Sequence, residues 1–144
     1  MRRGVRPALA VGALGLVALL LVAGLAAGRT PHAPPAGVRT VHLRIHFSHF
    51  DRDRIDVSPG KTVRFVIDNT DPIDHEFILG DDQVQQVHER GTEAVHAPRP
   101  GEVSIPAGTT ATTTYTFGDP GELTFACHLP GHFAYGMRGT VTVG

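Results

Sequence analysis

The chain has 144 residues and carries 13 Lys and Arg against 14 Asp and Glu, so it is nearly neutral overall. This length accommodates one domain with a sizeable core. The balance of charge argues against nucleic acid and anionic lipid as partners, and a single cysteine excludes an intramolecular disulfide.

Residues 1–28 have the composition of a leader. Three arginines precede the uncharged apolar stretch 8–27, and small residues at its end offer a site for signal peptidase. The alternative is an uncleaved membrane anchor, because the stretch is long enough to span a bilayer. Under both interpretations the rest of the chain is exported to the periplasm or another extracytoplasmic space, where it is either soluble or tethered by residues 8–27. Without the leader, ten of the 13 basic residues remain against fourteen acidic ones.

Residues 29–37 are rich in proline and predict a linker, and β-strand patterns begin at Val38. Several short segments alternate between apolar and polar residues, with the following inner faces: Val41, Leu43, Ile45 and Phe47; Val63, Phe65 and Ile67; His75, Phe77 and Leu79. A long polar segment, 80–101, separates these from further strands that end at Cys127 and Val143, and no amphipathic helix of useful length is expected. Residues 38–144 therefore predict an all-β domain, an antiparallel Greek-key sandwich or barrel of seven or eight strands.

The segment from Pro120 to Gly139 contains the residues with the most specific chemistry. Cys127 is followed five residues later by His132, and Met137 follows after five more. Thiolate, imidazole and thioether, completed by a second histidine, are the ligands of an electron-transfer copper site. The competing interpretation is that Cys127 is a small buried hydrophobic residue and Met137 fills the core.

The residues around Cys127 favour the metal site. Alternation over residues 122–127 places Cys127 on the inner face at the end of a strand. Pro130, Gly131 and Gly136 predict a tight loop that folds the later donors back towards the sulfur. His128 faces the opposite side of the strand by the same alternation.

Among the other histidines, His75 is the best candidate for the second imidazole. It shares the inner face of a strand with Phe77 and Leu79, so its side chain enters the core at the start of that strand. The alternative is a core histidine satisfied by a backbone hydrogen bond.

The run Cys-His-Leu-Pro-Gly-His-Phe-Ala-Tyr-Gly-Met over residues 127–137 resembles the ligand loop of the cupredoxins, the small blue copper proteins. Its spacing is most similar to the rusticyanin branch, and the resemblance extends from about Val38 to Gly144. It implies a cupredoxin-like sandwich with one type 1 copper ion held by His75, Cys127, His132 and Met137. Such proteins often have a small amide or hydroxyl residue after the first histidine ligand, whereas Glu76 stands at that position here.

The ligand set predicts a single-electron carrier and not an enzyme. A monomer is expected, with a redox partner that docks on the apolar rim of the loop, near His132, Phe133 and Tyr135. A multicopper oxidase is disfavoured because Ala126 stands where such enzymes have a histidine before the cysteine, and a dinuclear purple site needs two cysteines.

Two other classes of function stay open at this point. Four further histidines, His46, His49, His88 and His96, are candidates for a second metal site, and they favour copper sequestration or delivery in copper homeostasis as the alternative function. A domain of this fold without metal, used only for recognition, is the third hypothesis. The intact ligand set argues against that hypothesis.

Overall fold

The computed structural model describes residues 37–91 and 98–144. These ranges contain nine strands and one helix, with the bounds β1 Arg39–His46, β2 His49–Phe50, β3 Arg54–Val57, β4 Thr62–Asn69, β5 His75–Gly80, α1 Asp82–Gly91, β6 Glu102–Ile105, β7 Thr110–Thr116, β8 Gly121–Ala126 and β9 Arg138–Val143. The predicted leader and nearly all of the predicted linker lie outside the described residues. Within the described ranges, no helix has the length and apolar character needed to cross a membrane.

The strands form two sheets, which confirms the predicted all-β sandwich. One sheet has the order β2-β1-β4-β7, and the other has the order β3-β9-β8-β5-β6. The described ranges contain nine strands where seven or eight were expected, and the short β2 and β3 were not predicted. The sheets are also not purely antiparallel, because β1 pairs with β4 and β3 pairs with β9 in parallel. Neither pair is consecutive in the chain, as parallel pairing requires a crossover.

The apolar core lies along the inner faces that strand alternation predicted, except at Phe47. This residue was expected on the inner face of the first strand, but it follows the end of β1 in a turn with a positive φ angle, and 79% of its surface is exposed. In β4 and β1 every second residue is buried, and the buried set includes Leu43 and Phe65. Phe65 packs on Phe77 at a ring-centroid distance of 5.0 Å, and Phe77 stacks on Phe125 at 5.6 Å. Cys127 belongs to the same cluster and follows directly after the last residue of β8, so its sulfur lies at the end of this core.

The segment 80–101 is not only a polar connection, because α1 occupies residues 82–91. The carboxylate of Asp81 accepts a hydrogen bond from the N–H of Val84 and caps the helix start. The side-chain amide of Gln85 donates to the backbone oxygens of Gly80 and Thr124, which fixes α1 on the outer face of β5 and β8. The sequence analysis missed α1 because the helix is held largely by polar contacts and has few apolar residues.

Coverage by α1 changes the environment of β5. All six residues of that strand are buried, including those on the face away from the sandwich core. Glu76 and Ile78, which alternation placed on the outer side, are fully buried as a result. The strand that presents His75 is therefore packed on both faces.

Candidate metal centre

His75 is the first residue of β5, and its ring is buried at the end of the core. The Nδ1 atom faces the sulfur of Cys127 at 4.0 Å, while Nε2 lies 3.1 Å from a carboxylate oxygen of Asp71. Burial lowers the pKa of His75 below its ordinary value, although the neighbouring Asp71 and Asp74 act in the opposite direction. The imidazole is thus kept neutral, which is the form that binds metal.

Cys127 follows directly after β8 and is completely buried. Its N–H donates to the backbone oxygen of Met137 over 3.1 Å, which joins the two ends of the loop. Burial raises the pKa of the Cys127 thiol to about 11, although the backbone N–H groups of Glu76 and Leu129 form hydrogen bonds to the sulfur that act against this rise. The copper-free site therefore holds a thiol, and a metal ion must displace its proton.

The loop between β8 and β9 brings His132 back to the sulfur. Gly131 and Gly136 have φ angles of 87° and 94°, a conformation that favours glycine and that closes the two turns of the loop. The N–H of His132 donates to the backbone oxygen of Leu129 over 3.0 Å. Its Nδ1 atom lies 3.2 Å from the sulfur of Cys127. Burial and the nearby His75 lower the pKa of His132, so this imidazole is also neutral.

These three side chains form the only group of at least three potential ligands from His, Cys, Asp and Glu within residues 37–91 and 98–144. Their donor atoms, two imidazole nitrogens and one sulfur, all lie within 4.8 Å of one another. A metal ion bonds to such atoms at about 2.0–2.3 Å. Atoms that bind the same ion must therefore lie close to one another, as these three do. Two imidazoles and one thiolate form the equatorial set of a blue-copper site, so a copper ion fits this chemistry.

Met137 lies next to this group and is completely buried. Its N–H donates to the backbone oxygen of His132 over 3.0 Å, and its own backbone oxygen accepts from Cys127. These contacts fix the backbone of Met137 between the two loop donors. Its role as an axial ligand stays a prediction.

Glu76 connects the two segments that present the donors. One oxygen of its buried carboxylate accepts a hydrogen bond from the N–H of His128 over 2.8 Å. A carboxylate thus joins the two ligand segments, at the position where the cupredoxins that the sequence resembles often have a small amide or hydroxyl residue. The sequence shows the unusual residue, but alternation only placed it on the side of the strand opposite the core and did not indicate that it is buried.

His128 points away from Cys127, as alternation predicted, but its side chain is enclosed by α1. Its Nδ1 atom lies 2.7 Å from a carboxylate oxygen of Glu89, and its Nε2 atom lies 2.7 Å from the amide oxygen of Gln85. The ring also stacks on Phe133 at 4.9 Å. The helix thereby braces the start of the ligand loop, and the sequence analysis did not anticipate this support.

The other candidate histidines do not join a donor cluster among the described residues. His49 contacts the backbone oxygen of Phe47, and His88 contacts the backbone oxygen of Val84 within α1. His46 lies near the hydroxyl of Thr70. His96 falls outside the described residues. The described residues therefore give no support to the second metal site that these histidines left open.

A two-sheet sandwich that holds two imidazoles and a thiol at one end defines a cupredoxin-type copper protein. The family of copper binding proteins described as the plastocyanin/azurin family matches residues 41–144. The chain therefore belongs to the plastocyanin/azurin family of copper-binding proteins, and copper is its cofactor.

Two similar proteins have names that refer to copper. The copper-resistant cuproprotein CopI of Rubrivivax gelatinosus is 37% identical over 123 residues, covering 79% of this chain and 74% of the relative. The protein of the same name from Pseudomonas aeruginosa is 28% identical over 174 residues, covering 89% of this chain and 96% of the relative.

Among solved structures, auracyanin B matches with a TM-score of 0.63 at 24% identity, covering 79% of this chain and 93% of auracyanin B. Reduced auracyanin from Roseiflexus castenholzii matches with a TM-score of 0.62 at 23% identity, covering 73% of this chain and 96% of that protein. At these identities the likeness establishes the fold.

Proposed function

We propose that the protein is an exported mononuclear type 1 copper protein that carries single electrons between redox partners and is not itself an enzyme. His75, Cys127 and His132 would hold the copper ion, with Met137 as the axial ligand. The observation that carries this proposal is the convergence of three donor atoms within 4.8 Å at the end of the core. Copper bound there would supply the Cu(I)/Cu(II) couple.

The donors are held in place by the protein itself, which supports a redox role. Asp71 lies against Nε2 of His75, and Leu129 accepts from the N–H of His132. The backbone N–H of Cys127 is tied to Met137. A site whose donors are fixed before metal arrives rearranges little between oxidation states, and a small rearrangement favours fast electron exchange.

The surface around His132 is where we infer that a redox partner docks. His132 is partly exposed, whereas His75 and Cys127 are buried. Beside it, Tyr135 has 82% of its surface exposed, and Pro130 and Ala134 are exposed too. A small apolar surface of this kind suits brief contact with a partner, and Phe133 lies at its edge.

The second candidate is copper sequestration or delivery in copper homeostasis. It is supported by the relatives named copper-resistant cuproproteins, one of them 37% identical to this chain. That evidence favours a role in copper resistance at least as strongly as the site favours electron transfer. The two roles differ in how much copper the protein takes up and in which oxidation state.

Titration of the purified protein with Cu(II), followed by absorption and EPR spectroscopy, separates the two candidates. An electron carrier binds one equivalent and shows an intense thiolate-to-Cu(II) band, whereas a sequestering protein binds further equivalents or mainly Cu(I). Cys127→Ser should lose the band. His88→Ala is the matched control, because His88 is bound within α1 and outside the donor cluster, and it should keep the band. An intense band in Cys127→Ser would refute the assigned site.

A further inference from the structure

The loop before β5 contains a buried carboxylate, Asp71, four residues ahead of the first candidate ligand. We propose that Asp71 is a positioning residue, which fixes the tautomer of His75 and biases the site towards oxidised copper. The proposal rests on the ligand role proposed for His75. The sequence gives no hint of it, because Asp71 stands in a polar loop with the composition of an exposed turn.

Hydrogen bonds fix the Asp71 carboxylate on both of its oxygens. Oδ1 accepts from the N–H of Phe47 over 2.8 Å, and Oδ2 accepts from the N–H of Ser48 over 2.7 Å. Phe47 and Ser48 have φ angles of 51° and 56°, so this turn aims two consecutive N–H groups at one carboxylate. Oδ2 also lies 3.1 Å from Nε2 of His75.

The backbone of Asp71 is anchored as firmly as its side chain. Its N–H donates to the amide oxygen of Asn69 over 3.0 Å, and its backbone oxygen accepts from the N–H of Gly108. The amide of Asn69 in turn donates to the backbone oxygen of Ile105. The carboxylate thus has one orientation, set by the turn between β1 and β2, by β4 and by the loop that precedes β7.

These contacts decide which nitrogen of His75 carries the proton. Both oxygens of the Asp71 carboxylate already accept hydrogen bonds from backbone N–H groups, which is the pattern of an ionised carboxylate. An ionised carboxylate only accepts hydrogen bonds, so Nε2 of His75 must donate. Nδ1 is then the atom with a free lone pair, and it is the atom that faces the sulfur of Cys127.

The same contact supplies negative charge to the metal site. A carboxylate that accepts from the far nitrogen of a ligand histidine increases the basicity of that ligand. A more basic imidazole and a nearby negative charge stabilise Cu(II) more than Cu(I). Removal of a partner of this kind typically costs about 10–100-fold in metal affinity, and we expect the effect of Asp71 to fall mainly on the oxidised ion.

Asp71→Asn tests the proposal, with Asp74→Asn as the matched control. Asp74 also lies close to His75, but it is exposed and its carboxylate accepts from the N–H of Ala107. In Asp71→Asn the affinity for Cu(II) relative to Cu(I) should fall at least about tenfold, which is a rise of about 59 mV in reduction potential. Asp74→Asn should shift the potential much less. Equal potentials in wild type and Asp71→Asn would overturn the proposal.

A second measurement needs neither copper nor a variant. In the copper-free wild-type protein, a ¹H–¹⁵N correlation spectrum of the imidazoles should show the proton of His75 on Nε2. A proton on Nδ1 would overturn the proposal even where Asp71→Asn does not fold. His75→Ala tests the ligand role of His75 separately from the role of Asp71. If His75→Ala loses the visible band while Asp71→Asn keeps the wild-type potential, the role of Asp71 is rejected and the ligand role of His75 stands.

Discussion

The buried thiol of Cys127 should make the copper-free protein less stable in alkaline solution. Burial raises the pKa of this thiol from 9.0 to about 11. In the unfolded chain the thiol ionises near 9.0, so above this pH the unfolded state binds fewer protons than the native state. The free energy of unfolding therefore falls as the pH rises, and the stabilisation that is complete below pH 9.0 is lost by about pH 11.

The size of this loss follows from the shift. Two pH units separate 9.0 from about 11, and at about 1.36 kcal/mol per unit the loss amounts to about 2.7 kcal/mol. This is a large fraction of the stability of a small domain, which is typically about 5–15 kcal/mol. The effect is therefore within easy reach of a denaturation experiment.

Urea unfolding of the copper-free, reduced protein between about pH 8 and about pH 11 measures this loss of stability. Cys127→Ala is the control, because it lacks the thiol and keeps every other side chain of the protein. The difference between the two stability curves should shrink by about 2.7 kcal/mol across the interval. Parallel curves would refute the argument that burial holds this thiol in its protonated form.

Three further predictions concern the surroundings of the site. Glu76→Gln removes a carboxylate whose charge helps to raise the pKa of the Cys127 thiol, so this pKa should fall. It should stay above 9.0, because burial is the larger cause. Thiolate absorbance measures the pKa, and an unchanged value would count against the charge effect. Gly139→Ala would press a methyl group on the phenylalanine ring of β8, so urea unfolding should show a loss of about 1–3 kcal/mol, whereas Gly118→Ala, whose methyl group meets nothing within 4 Å, should cost far less. Met137→Leu should keep copper and the visible band but raise the reduction potential, and a wild-type potential would make Met137 a core residue only.

Periodicity predicted the parts of the molecule in which apolar side chains decide the structure. Alternation placed Cys127 and His75 on inner faces, and both are buried at the same end of the sandwich. The spacing of Gly131 and Gly136 predicted the loop that returns His132 to the sulfur, and both glycines have positive φ angles. These features are local, so neighbouring residues in the chain are sufficient to indicate them.

The polar support of the site was not predictable in this way. The helix α1 is held by Gln85, whose amide donates to carbonyl oxygens of two strands, and this contact leaves no apolar periodicity in the sequence. Asp71 accepts from Phe47 and Ser48, which are more than twenty residues away in the chain. Such contacts depend on which distant backbone groups the fold brings to a carboxylate, and no local pattern in the sequence indicates them.

Burial is the main reason why the Cys127 thiol of the copper-free protein keeps its proton, and the charge of Glu76 adds to it. Asp71 lies against the ring of His75, and Glu76 accepts from the backbone next to Cys127, so both bring negative charge to the end of β5. Ionisation of the thiol would add a third negative charge to a buried region, which is costly without a cation. Copper would supply that cation, so its binding should release the proton of Cys127 and strengthen the contacts of both carboxylates. Burial holds the proton on Cys127 without copper, whereas the negative charges of Asp71 and Glu76 favour a bound metal ion, and most strongly Cu(II).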